Sequence, residues 1–352
     1  MTGISEKTIQ LLEYLERNIN PEVEDDFIKQ WEDFTFDKFS GDIFVPCRKV
    51  VAKPFDDLPS ININDAIEDY DSMLQHQLAG VCKNLASKPN CLNVRANYGT
   101  GILSSVFGAQ LFVMPRHTNT LPTTKPIGGI DEMEELLDKG MPALNNGLGQ
   151  KVFDFGSYCL EAFEEYPKVK KYVNVYHPDL QGPLDICELL MGGEMFYAFY
   201  DDPDVVCSLL TLITDTYTAF LDKWQSMFPP RKGMNTHWNL WHKGEILIRN
   251  DSAMNLSPEM YKQFSVPYDS ALLKRFNGGV IHFCGKGDHY IEELSKMEGV
   301  YGINMSQPEY NDMETIYRNT VDKGIKILSF NPSQAEKDKA RVGAFRGNMH
   351  VE

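Results

Sequence analysis

The chain has 352 residues, 42% of them hydrophobic and 24% charged, which suits one large α/β domain or two smaller ones. A net charge of −16 speaks against a nucleic-acid partner, since phosphate is gripped mainly by lysine and arginine. Seven scattered cysteines, none spaced as Cys-x-x-Cys, speak against a disulfide framework and for a reducing compartment.

Met1–Asn20 reads as an amphipathic helix without the apolar core of a signal peptide, and no apolar run approaches the roughly 20 residues of a membrane helix. A cytoplasmic chain with no membrane partner is the expectation. The aromatic-rich stretch DFIKQWEDFTFDKF follows. Residues 1–64 are therefore expected to form an arm or cover, either packed on the main domain or making a homodimer contact. Residues 65–352 are expected to form that domain, in one single-domain chain.

From Asp65 onward, helix-like and strand-like segments alternate. Residues 65–87 have helical periodicity, and 91–101 are a strand running into a glycine-bearing turn. Residues 172–183 are a strand closed by Gly182-Pro183. Asp202-Pro203 opens a long helix ending near Phe228. GEILIRNDS is a strand, and Ser257-Pro258 caps and starts the next helical segment. GGVIHFCG, VYGINMS and IKILSF are strands. They are separated by helices expected over 289–297 and 312–323. This order implies a largely parallel sheet, and the number of repeats suits a (β/α)8 TIM barrel with an N-terminal helical and aromatic extension better than an open doubly wound sheet. No Gly-x-Gly-x-x-Gly follows a strand, so a dinucleotide site has little support.

Barrel enzymes place their active groups at the C-terminal strand ends. That rule selects Tyr98, Gln181, Asp251, His282, Cys284, Asn304 and Ser329. His282 and Cys284 stand out. Strand side chains alternate faces, so the two point the same way, and imidazole nitrogen and thiolate sulfur are preferred zinc donors. Gly285 beside them permits a sharp turn. A catalytic zinc usually has three protein ligands, and the third is open among Asp251, His289, His237 and His242.

The segments DLQGPLDICELLMGGEMFYAFYDDPDVVCSLL, NDSAMNLSPEMYKQFSVPYDSALL and GGVIHFCGKG resemble, in order and spacing, the uroporphyrinogen decarboxylase superfamily. Within it they look like the branch of cobalamin-dependent methyltransferases. The resemblance implies a (β/α)8 barrel and a zinc ion held by His282 and Cys284. It also implies methyl transfer between a small-molecule donor or acceptor and methylcobalamin or another corrinoid carried by a partner protein. Asp251 would join His282 and Cys284 as a catalytic group, with Tyr98, Gln181 and His289 on the substrate side. The family's further zinc cysteine near the last strand has no counterpart, because Ser329 occupies that region. Arg48 stands alone where the decarboxylases carry several arginines, which disfavours porphyrinogen decarboxylation. A metal-free lyase and a non-catalytic tetrapyrrole or corrinoid binder are the alternatives.

Overall fold

Eight short strands that pair in parallel recur along the chain. They are β1 (Ile43–Phe44), β2 (Asn93–Arg95), β3 (Asn174–Tyr176), β4 (Ile246–Arg249), β5 (Gly279–Phe283), β6 (Val300–Met305), β7 (Lys326–Phe330) and β8 (Met349–Val351). The structure, a computed structural model, describes residues 3–352. Six of these strands form one parallel sheet in the order β1-β8-β7-β6-β5-β4, and β2 pairs with β3. The arrangement is TIM-like. Among the described residues no backbone ladder joins β3 to β4 or β1 to β2, so continuous closure of a barrel is not shown.

Side chains bridge both gaps. At the first, the Leu247 N–H donates to His177 Nε2 at 3.3 Å. Gly182 lies so close to β4 that a Cβ there would meet the Arg249 carbonyl oxygen at 2.0 Å. At the second, the guanidinium of Arg48 donates to the carbonyls of Asn84, Ser87 and Asn90, just before β2, and pairs with Glu24.

Alternation along the strands separates two cores. Val94, Ala96, Ile246, Ile248, Ile281, Phe283 and Ile303 face the surrounding helices. Leu247, Val280 and Leu328 face the other way and join Trp31, Phe34, Phe44, Leu240 and Trp241. The expected arm thus feeds the sheet. Its helix Pro21–Thr35 supplies Trp31 and Phe34 to the inner core, and Phe44 comes from a strand the sequence did not signal. Each such fully buried side chain contributes about 1.5–3 kcal/mol.

Most expected elements are present, with physical corrections at their ends. The segment 65–87 breaks into Ile63–Ala66 and Tyr70–Leu85, where Asp69 caps the second helix through a bond from Ser72 N–H. Ser257 accepts the Met260 N–H as its cap, and the helical segment it starts breaks at Ser265. The helix expected over 289–297 shrinks to Ile291–Leu294, and that over 312–323 to Met313–Asn319 plus one 3-10 turn. Pro203–Met227 corrects the reading that no segment reaches membrane length. It is long and apolar enough by length and composition, yet half of its apolar window is buried in the fold. Leu209, Leu210, Ile213, Tyr217, Phe220 and Leu221 recur at helical spacing on that buried side.

Candidate metal centre

The β4–β5–β6 ladders set Arg249 beside His282 and His282 beside Asn304. Two residues further along the first two strands come Asp251 and Cys284, on the same inward face. Gly285 then turns the chain away at φ +69°, and its N–H donates to Gln307 Oε1 at 2.6 Å. The result is a compact donor group. Cys284 Sγ lies 3.4 Å from His282 Nε2, and Asp251 Oδ1 lies 3.5 Å from the same nitrogen. All three donor atoms fall within 4.8 Å of one another.

Each donor is held from behind. Asp251 Oδ1 accepts the Cys284 N–H at 2.9 Å, while Oδ2 accepts from Arg249 Nη2 at 2.6 Å. Its carboxylate makes no cap to the 3-10 turn Ser252–Asn255. Asp185 does that work instead, accepting the Asp251 and Ser252 N–H groups at 3.0 and 2.8 Å. His282 Nδ1 lies 2.5 Å from Asn304 Oδ1, and the Trp238 ring stands edge-on to the imidazole at 5.0 Å. Cys284 Sγ reaches Ser306 Oγ at 3.5 Å.

Charge follows from these contacts. Burial pulls the His282 imidazole below its ordinary value against the opposing field of Asp251, so the ring is neutral near pH 7. Burial pushes the Cys284 thiol up, partly offset by Ser306. Burial also acts to raise Asp251, but Arg249 and then His282 outweigh it and hold the carboxyl below its usual range. A neutral imidazole, a carboxylate and a thiol that a cation can deprotonate make a donor set suited to a divalent ion.

The remaining expected residues divide. Gln181 belongs to the same mouth. It sits at φ +64°, an uncommon conformation for a side-chain-bearing residue, and donates to Asp179 Oδ1 at 2.7 Å. Tyr98 does not. It shares the parity of Val94 and Ala96, faces the helix layer and packs near Phe155. His289 Nε2 is taken up by the Leu256 carbonyl at 2.9 Å, away from the donor group. His237 and His242 are buried in the inner hairpin Met234–His237/Leu240–Lys243 and are outside the donor group. Ser329, at φ +54°, donates to Glu352 Oε1 at 2.7 Å rather than approaching Cys284.

Sequence reasoning missed Arg95 and Arg249, which strict alternation would have found two residues before Asn97 and Asp251. Asp179 joins them, accepting from Arg249 Nη1 at 2.7 Å and lying 3.5 Å from Arg95 Nη1. A polar cavity of about 370 Å³ opens beside the donor group, walled by Asn304, Ser306, Ser329, Asn331 and Glu352.

Two results are expected here. Tyr98 OH is buried without a hydrogen-bond partner. Tyr98→Phe should therefore leave stability unchanged or raise it by up to about 1 kcal/mol in urea unfolding, with any site activity intact. Asp269, buried between Asn250 and Ser265, is raised to about 7, chiefly by burial, and Asp185 to about 6 by burial and then by Asp251. Both lie above the unfolded value of about 3.9, so protonation stabilises the fold fully below that pH. The contribution disappears as pH rises. The contribution of these two carboxyls should fall between about pH 4 and 7, against the rise that buried, neutral histidines such as His242 and His350 give over part of the same range, so the stability advantage of wild type over Asp269→Asn should shrink as pH rises toward about 7.

No protein-family model matches the chain, and no curated protein matches it. In structure the chain is similar to a methyltransferase from Methanosarcina mazei, with a TM-score of 0.57 and 15% sequence identity. The likeness covers 85% of this chain and 88% of that chain. At that identity it is a likeness of fold, and it supports the α/β architecture that the sequence resemblance implies.

Proposed function

We propose that this chain is a zinc-dependent methyltransferase that moves a methyl group between a corrinoid carried by a partner protein and a small molecule or thiol. The carrying observation is the convergence of Asp251 Oδ1, His282 Nε2 and Cys284 Sγ at the strand ends. The two separations from His282 Nε2, 3.4 and 3.5 Å, match the roughly 3.3–3.6 Å between neighbouring ligands of a tetrahedral zinc, and Asp251 Oδ1 and Cys284 Sγ lie within 4.8 Å of each other. The donor set also leaves room for the fourth, open position of a catalytic site. The methyltransferase from Methanosarcina mazei, similar in fold, agrees with this reading.

Asp251, His282 and Cys284 would be the ligands. Bound zinc supplies a Lewis acid that keeps an acceptor thiol in its reactive thiolate form at neutral pH. The chain's own residues do the rest. Arg249 holds Asp251 with one oxygen turned toward His282 and Cys284. Ser306, Ser329 and Glu352 offer hydrogen bonds to a small molecule in the adjoining cavity. Gln181 and Asp179 brace the opposite side of the mouth.

Nothing in the geometry favours the decarboxylase alternative. Arg48 is buried against Glu24, and Asp179 lies between Arg95 and Arg249. The mouth therefore offers no surplus positive charge for a polycarboxylate.

The test is methyl transfer itself. Zinc-loaded protein, methylcobalamin and 2-mercaptoethanol should show protein-dependent loss of the methylcobalamin absorbance, abolished in His282→Ala. Loss at the protein-free rate would contradict the proposal.

A further inference from the structure

Asn304 faces His282 across the β5–β6 ladder and Leu328 across the β6–β7 ladder. Its side chain uses both neighbours. The amide nitrogen donates to the Leu328 carbonyl at 2.8 Å, and the amide oxygen lies 2.5 Å from His282 Nδ1. Turning the amide over would set its oxygen against the Leu328 oxygen, two acceptors with no proton between them, in a buried position. The oxygen therefore faces His282, and an amide oxygen can only accept. The imidazole proton must then sit on Nδ1. Its lone pair is left on Nε2, the atom that faces Cys284 Sγ and Asp251 Oδ1. Trp238 is edge-on to the same ring, and its indole offers no acceptor that could draw the proton elsewhere.

We propose that Asn304 is a positioning residue: anchored on Leu328, it fixes His282 as the Nδ1–H tautomer and so sets how tightly Asp251, His282 and Cys284 hold a divalent ion. The tautomer half stands on hydrogen-bond geometry alone. The metal half rests on the function proposed above.

Two variants separate this role from simple packing. Asn304→Leu removes the acceptor while keeping the branched side-chain skeleton. Asn304→Asp keeps an acceptor oxygen for His282 and gives up the amide donation to Leu328. Zinc dissociation constants are measured by competition with a chromogenic chelator, and the His282 tautomer is read by long-range 15N–1H NMR of the metal-free protein at neutral pH. Metal-free wild type should show the proton on Nδ1. Asn304→Leu should lose that preference and bind zinc about 10–100-fold more weakly, the usual cost of removing a ligand's hydrogen-bond partner, while Asn304→Asp stays within about threefold. Should Asn304→Leu fail to fold, Asn304→Ala gives the same comparison. A proton on Nε2 in wild type would overturn the proposal. So would a folded Asn304→Leu protein with wild-type zinc affinity. A wild-type protein that binds no zinc at all would overturn the proposed function and the metal half together, with the tautomer still decided by NMR.

Discussion

Replacing Cys284 by alanine is expected to weaken zinc binding by more than about 100-fold and to abolish methyl transfer, while leaving the chain folded. Loss of a hydrogen-bond partner of a ligand typically costs about 10–100-fold, and loss of a ligand must exceed that. Two donors, Asp251 and His282, would remain, too few for a catalytic zinc. The fold should survive because Cys284 lies just past the end of β5, half-buried, and its N–H still donates to Asp251 whatever the side chain. Chelator competition and urea unfolding, run on the same preparation, separate the two effects. Matching losses of stability and affinity would mean that the substitution had damaged the fold and not the site.

Arg48→Met is expected to be the most damaging substitution outside the site, costing about 3–5 kcal/mol in urea unfolding. The Arg48 side chain is 1% exposed and closes the gap between β1 and β2. It makes paired bonds to Glu24 at 2.6 and 2.9 Å, donates to three carbonyls before β2 and lies over the Phe27 ring at 4.3 Å. Removing it leaves the Glu24 carboxylate buried and uncompensated and takes a donor from the Ser87 and Asn90 carbonyls, while the Asn84 carbonyl keeps the Ser87 N–H. A Glu24→Leu/Arg48→Met double variant should recover part of the loss, since no charge then stays behind. Equal losses in the single and double variants would show that the carbonyl contacts dominate and that the ion pair adds little.

The same parity rule explains what the sequence reveals and what it hides. His-x-Cys on a short apolar strand puts both side chains on one face, and the structure brings His282 and Cys284 within bonding reach of each other. Asp251 was one of four open third-ligand choices. The structure joins it to the pair because Arg249, its neighbour two residues back, turns the carboxylate inward. Tyr98 lies near a strand end, but it is one residue out of phase with Arg95 and Asn97, so its side chain goes to the helix layer. Strands β1 and β8 have two and three residues, too short for periodicity to register. The arm's inward role was hidden for another reason. Trp31 and Phe34 read as helix aromatics, and only the long-range fold shows that they fill the inner core beside Leu247 and Val280. Asn304 was visible by position alone. Its bond to His282 depends on the β5–β6 register, which a single sequence does not carry.

The most direct measurement is the zinc content of protein purified without added metal, compared between wild type and His282→Ala. Roughly one zinc per chain in wild type and almost none in the variant is the expected result. Wild-type protein that neither contains zinc nor takes it up on titration would contradict the account. So would equal zinc in the two proteins, because the metal would then lie somewhere other than between Asp251, His282 and Cys284.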